Sequence, residues 1–229
     1  MTFVLATSRP WNEVLAKRLE EKTGKAFHLV TQIEKLTYDS LMQLNPRYVF
    51  FPHWSHVIPK EIFESFECII FHMTDLPYGR GGSPLQNLIL QGHNTTKISA
   101  LRCIAELDAG PVYMKKPISL EGSASEIFQR AANVIEVMIE EIIDKKPVPK
   151  SEKGEPVVFS RRKPQQSDLH DAPIFSLNDL FNFIRMLDAE GYQKAFIDVH
   201  GHRVEFKQAK LENDKLVGTF EVCSKHKKP

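Results

Sequence analysis

Apolar residues fall in short unbroken runs, "TFVLA" at residues 2–6, "AFHLV" at 26–30, "RYVFF" at 47–51 and "CIIFH" at 68–72. Runs of this length with little polar alternation suit strands buried on both faces. Between and after them, "VLAKRLEEK", "YDSLMQL", "PKEIFESF" and "SPLQNLILQG" place their apolar residues at helical intervals. Strands alternating with helices predict an α/β fold, a mostly parallel sheet covered on both faces.

Past Gly92 the rhythm changes. "TTKISALRCIAELDAGPVYMKKPISL" reads as two extended segments joined by a turn at Asp108-Ala109-Gly110, a hairpin closing the sheet. "SASEIFQRAANVIEVMIEEIIDKK" follows as a long helix with Ser123 or Ser125 as its cap. The stretch "KKPVPKSEKGEP" can bury little and reads as a linker. The expected organisation is a main α/β domain over 1–146, a linker over 147–159 and a small β-rich α+β subdomain over 160–229. In that subdomain "SLNDLFNFIRMLDAE" is an amphipathic helix capped by Ser176 and Asp179, three short strands follow, and "SKHKKP" is a frayed basic tail.

Composition narrows the function. The 30 basic and 29 acidic residues give a formal charge of +1, so no global field draws in nucleic acid or an anionic membrane. Glutamates interrupt the longest apolar stretches, so a membrane span is not expected. The amino terminus lacks a secretory pattern, which makes the cytoplasm the expected location. Three scattered cysteines, Cys68, Cys103 and Cys223, show no ligand spacing, and no metal site is expected.

In an open parallel sheet, ligands bind beyond the carboxyl ends of the strands. Three polar loops lie there: "TSRPWN", "PHWSHVIP" and "HMTDLPYGRGG". Read alone, His72 serves equally as a hydrogen-bonded core residue, and Asp108 as a turn residue. Together they make acid/base machinery, because a carboxylate beside an imidazole fixes its tautomer and favours its cation. The glycines of "YGRGGSP" let the backbone approach a ligand, but no nucleotide-binding glycine motif is present.

"HMTDLPYGRGGSPLQNLILQG" and "TKISALRCIAELDAGPVYMKKPISLEGSASEIFQRA" resemble the folate-dependent formyltransferases. Their hallmark is Asn-x-His-x-Ser followed by Leu-Pro, a nearby Arg-Gly and Pro, and a later Asp-x-Gly. The resemblance implies a Rossmann-like catalytic domain, with His72, Asp108 and Thr74 as catalytic residues and 10-formyltetrahydrofolate as formyl donor. It departs at Ile70, where the family has asparagine; isoleucine cannot donate a hydrogen bond, so His56, Asn87, Asn94 or backbone amides become the candidate donors. The pterin is expected beside His53, Trp54, Ser55 and Val57 on one segment and Cys103, Glu106 and Leu107 on another.

Within the family, the closest likeness is to the branch acting on nucleotide-linked amino sugars. The expected acceptor is a UDP-linked 4-amino-4,6-dideoxy sugar of a pseudaminic acid type pathway, without a nucleic acid or membrane partner. Arg9, Trp11, Asn12, Tyr78 and Arg80 would bind it, and a homodimer is possible by analogy. The alternatives are a methionyl-tRNA formyltransferase, a formyltetrahydrofolate hydrolase in which water replaces the amine, and an inactive binding module.

Overall fold

The computed structural model describes residues 1–224; residues 225–229, which hold most of the basic tail, lie outside the described residues. The first elements are β1 (Thr2–Ala6), α1 (Glu13–Thr23), β2 (Ala26–Val30), α2 (Tyr38–Leu44), β3 (Tyr48–Phe51), α3 (Lys60–Ser65) and β4 (Cys68–His72). Then come β5 (Tyr78–Gly81), α4 (Pro84–Leu90), β6 (Thr95–Arg102), β7 (Val112–Ser119), α5 (Ala124–Lys145) and β8 (Val157–Phe159). The remainder holds α6 (Leu177–Arg185), β9 (Ala195–Val199), β10 (His202–Glu212) and β11 (Lys215–Ser224).

The chain forms two compact units that do not follow chain order. Unit 1 holds residues 1–81, 96–118 and 129–158; unit 2 holds 82–95, 119–128 and 159 onward. Unit 1 is built on a six-stranded sheet in the order β2-β1-β3-β4-β6-β7, parallel from β2 to β4 and antiparallel between β4 and β6. This is the mixed Rossmann-like sheet expected of the sequence. β1 is central because it can be: Phe3, Val4, Leu5 and Ala6 are all 0% exposed, which only an unbroken apolar run tolerates.

Side chains alternate across this sheet. Val4, Ala6, Val49, Phe51 and Cys68 share one core cluster, against which the half-buried Ile70 and Trp54 pack. His72, two residues beyond Ile70 on β4, projects from that same face. On α1, Arg18 and Lys22 grip the buried carboxylate of Glu136 on α5, Lys22 at 2.7 Å. That pairing offsets the cost of a carboxylate in the interior.

Unit 2 contains a three-stranded antiparallel sheet in the order β11-β10-β9, beside α6. Ser176 caps α6 by accepting from the Asp179 N–H at 3.1 Å. Arg185, at the end of α6, donates through Nη1 to the carbonyls of Leu120 and Gly122 at 2.6 and 2.8 Å. Its burial pulls the guanidinium below its usual value. Ser123 is the serine that caps α5, accepting from the Glu126 N–H at 3.3 Å. Among the described residues, no helix is long and apolar enough to cross a membrane.

Candidate active site

His72 is the last residue of β4 and 9% exposed; Asp108, in the loop between β6 and β7, is 8% exposed. That loop folds over the face from which His72 projects, bringing Asp108 Oδ2 to 3.5 Å from His72 Nδ1. The backbone at Asp108 has φ 50°, a left-handed conformation that a short aspartate side chain tolerates. Gly110 lets the loop turn tightly, since a Cβ there would stand 1.8 Å from the carbonyl oxygen of Arg102.

The third component is β5, which the sequence presents only as a glycine-rich loop. It pairs with β8 in a two-stranded ribbon and lies against the dyad. The Gly79 carbonyl accepts from His72 Nε2 at 2.7 Å, and the Gly81 N–H donates to Asp108 Oδ2 at 2.9 Å. Gly79 and Gly81 have φ of 79° and 98°, conformations open to glycine. The sequence marks both glycines as places where the backbone can approach a ligand, but side-chain patterns carry no sign that their backbone groups bond to His72 and Asp108.

Thr74 is fully buried and donates to the Gly79 carbonyl at 3.3 Å, so its hydroxyl serves the frame around His72. Asp75 follows, held by Lys97 and Lys115 at 2.9 Å each; burial works to raise its carboxyl, and the two lysines outweigh it and leave it below the usual range. Ile70 packs against Leu76, Leu101 and Val112, making that wall apolar. Of the substitute donors, Asn87 is spent on the carbonyls of Gly82, Ser83 and Ser160, and His56 packs against Trp54 with ring centroids 5.2 Å apart.

The loops after β1 and β3 are knitted together. Asn12, 0% exposed, donates through Nδ2 to Thr7 Oγ1 at 3.3 Å and to His53 Nδ1 at 3.1 Å, while Ser8 Oγ accepts from the Ser55 N–H at 3.1 Å. Asn12 thus spends its amide N–H groups within the loops, while its Oδ1 is buried with no hydrogen-bond partner among the described residues. His53 is half-buried, but its Nε2 is sealed from solvent; burial first and the Arg9 charge second lower its pKa to about 4. Arg9 lies over the Trp11 ring at 5.6 Å.

The residues expected beside a pterin are present in two loops. Trp54 packs edge-on against Phe51 at 5.9 Å, and its indole Nε1 is buried with no hydrogen-bond partner among the described residues. Val57 and Leu107 are 90% and 69% exposed, while Cys103 is buried and its thiol is pushed up to about 11, chiefly by burial. Glu106 and Arg80, expected to bind folate and acceptor respectively, pair with each other at 3.0 Å. Tyr78 is half-buried in β5, and among the described residues no cluster of His, Cys, Asp or Glu is arranged to hold a metal.

Comparison with known proteins adds two findings. Residues 8–142 match a family described as "Formyl transferase", and residues 164–223 match "Methionyl-tRNA formyltransferase, C-terminal domain". The chain is similar to the structure of a methionyl-tRNA formyltransferase from Clostridium thermocellum, at 44% identity and TM-score 0.94, covering 98% of this chain and 99% of that one. It is 30% identical over 156 residues to a methionyl-tRNA formyltransferase from Thermodesulfovibrio yellowstonii, covering 65% of this chain and 48% of that protein. The chain thus spans about half the length of that curated relative, and less of others it matches.

HypX from Aquifex aeolicus, solved with tetrahydrofolic acid, shares the fold at TM-score 0.69 and 17% identity, covering 90% of this chain and 37% of that one. These findings overturn the expected acceptor. A nucleotide-linked amino sugar does not fit a chain whose 44% identical, full-length likeness and whose carboxy-terminal match both carry the methionyl-tRNA name. The motifs around His72 and Asp108 are common to the family's branches and could not decide between them.

Proposed function

This chain belongs to the formyl transferase family, and from that premise we propose that it transfers a formyl group from 10-formyltetrahydrofolate to the amine of methionyl-tRNA. The observation carrying this reading is the 44% identity to the Clostridium thermocellum protein across essentially both chains. The site fits such a donor. A buried indole N–H without a partner at Trp54 and exposed apolar side chains at Val57 and Leu107 suit a flat heteroaromatic ligand with polar edges. The cysteines of the chain are free thiols, in keeping with a reducing cytoplasm.

The chemistry is amine attack on a formyl carbonyl. The neutral methionyl amine adds, the carbonyl oxygen becomes an oxyanion, and the surplus amine proton must reach the folate nitrogen that leaves. His72 moves that proton, and Asp108 stabilises the imidazolium meanwhile. Ile70 donates nothing to the oxyanion, so that charge falls to backbone N–H groups and to the His72 cation.

The test is tetrahydrofolate release by purified protein given 10-formyltetrahydrofolate. Release that depends on methionyl-tRNA, with formylmethionine recovered after deacylation, is expected. Release without an acceptor would assign water as the acceptor, and absence of release with methionyl-tRNA would reject the reading.

A further inference from the structure

β5 meets the dyad and its loop at three successive residues. Gly79 O accepts from His72 Nε2 at 2.7 Å, Arg80 Nη1 holds Glu106 Oε1 at 3.0 Å, and Gly81 N–H donates to Asp108 Oδ2 at 2.9 Å. A carbonyl only accepts, so the ring nitrogen facing Gly79 must carry the hydrogen. Nδ1, 3.5 Å from Asp108 Oδ2, is then the ring nitrogen left for chemistry.

We propose that β5 is a splint for the catalytic pair: Gly79 locks His72 as the Nε2–H tautomer, making Nδ1 the atom that accepts the proton, and the Arg80–Glu106 pair latches the Asp108 loop to the strand. The inference rests on the formyl-transfer reading of this site. It makes Arg80 and Glu106 positioning residues rather than ligands of acceptor and folate.

The arrangement discriminates between stages of the reaction. Before proton uptake, the bare Nδ1 lone pair faces a carboxylate oxygen, and the two repel. Once Nδ1 is protonated, the same contact becomes a charge-assisted hydrogen bond. Asp108 therefore favours the state that follows proton uptake, and only such differential interactions accelerate a reaction.

The electrons balance without an oxidant or reductant. The amine lone pair forms the new N–C bond while the carbonyl π pair moves to oxygen, and an amine proton passes to Nδ1. As the oxygen pair returns, the bond from carbon to folate N10 breaks, its electrons stay on N10, and the Nδ1 proton moves there.

The experiment combines ¹⁵N-histidine NMR of the whole protein with steady-state kinetics. In the wild type, His72 is expected as the Nε2–H tautomer when its ring is neutral; the Nδ1–H tautomer would overturn the proposal. Arg80→Gln and Glu106→Gln should each lower kcat by about tenfold, with KM for the folate donor within about twofold. The charge-swapped pair R80E/E106R should recover to within about threefold of wild type. Loss confined to KM would mean that these side chains touch substrate directly, and full kcat in both single variants would mean that no latch exists; either result overturns the assignment. The wild-type tautomer is read without substrate, so it decides the splint even if no acceptor is formylated, an outcome that would instead remove the transfer reading.

Discussion

At the scale of single residues, His53 shows how the loops around the site respond to acid. Its Nδ1 accepts from Asn12 at 3.1 Å, a bond that protonation destroys, and its pKa is lowered to about 4 against an ordinary value of 6.5. Between those values the unfolded chain binds a proton that the folded chain refuses. Stability contributed by the neutral ring is therefore complete above about pH 6.5 and falls as pH drops towards 4. Because the residue is half-buried, the loss is about 1 kcal/mol, or roughly 2–4 °C in Tm. His53→Asn, suited to the residue's left-handed backbone (φ 51°), should lose that share of the acid slope in thermal scans from pH 7 to 4. An unchanged slope would place the titration elsewhere. His72 and Asp108 were legible in the sequence because their chemistry resides in their side chains. The partners of that pair at Gly79 and Gly81 were not, because a carbonyl and an N–H belong to every residue and only folding chooses which are used.

At the scale of elements, the unbroken apolar runs announced β1 to β4, and the helical spacing between and after them announced α1 to α4. β5 was hidden by its composition: two glycines beside an arginine have no strand propensity, and only pairing with β8 makes the segment extended. The β6–β7 hairpin was visible, and so was the approach of its Asp108 turn to His72. Gly110 governs that approach. Gly110→Ala forces a Cβ to within 1.8 Å of the Arg102 carbonyl, so the backbone must shift, at a cost of about 1–3 kcal/mol. The expected result is a lower Tm together with a kcat reduced by about tenfold or more, because Asp108 is two residues away. A lower Tm with unchanged kcat would show that the loop is held independently of its turn.

At the scale of the whole chain, length, neutrality and fold class were readable from the start, but the acceptor was not. Acceptor choice left no mark on the shared catalytic motif, and residues 164–223, which read as a helix and short strands resembling the start of the carboxy-terminal region of these transferases without pointing to a branch, carried the discriminating likeness. Neutrality still constrains how tRNA would be held. A formal charge of +1 gives no global field but does not limit local basic clusters such as Arg161-Arg162-Lys163, so affinity for methionyl-tRNA should fall by about tenfold or more between 50 and 200 mM salt, the slope of about two or more phosphate contacts. Affinity unchanged over that range would contradict binding through phosphates.

The most direct measurement follows an isotopic formyl label from 10-formyltetrahydrofolate into methionyl-tRNA, using wild type, His72→Asn and Asp108→Asn under single-turnover conditions. The account expects label on the methionyl nitrogen with wild type and a transfer rate lower by about 100-fold or more in each variant. Full-rate transfer by both variants, or label recovered only as free formate, would contradict it.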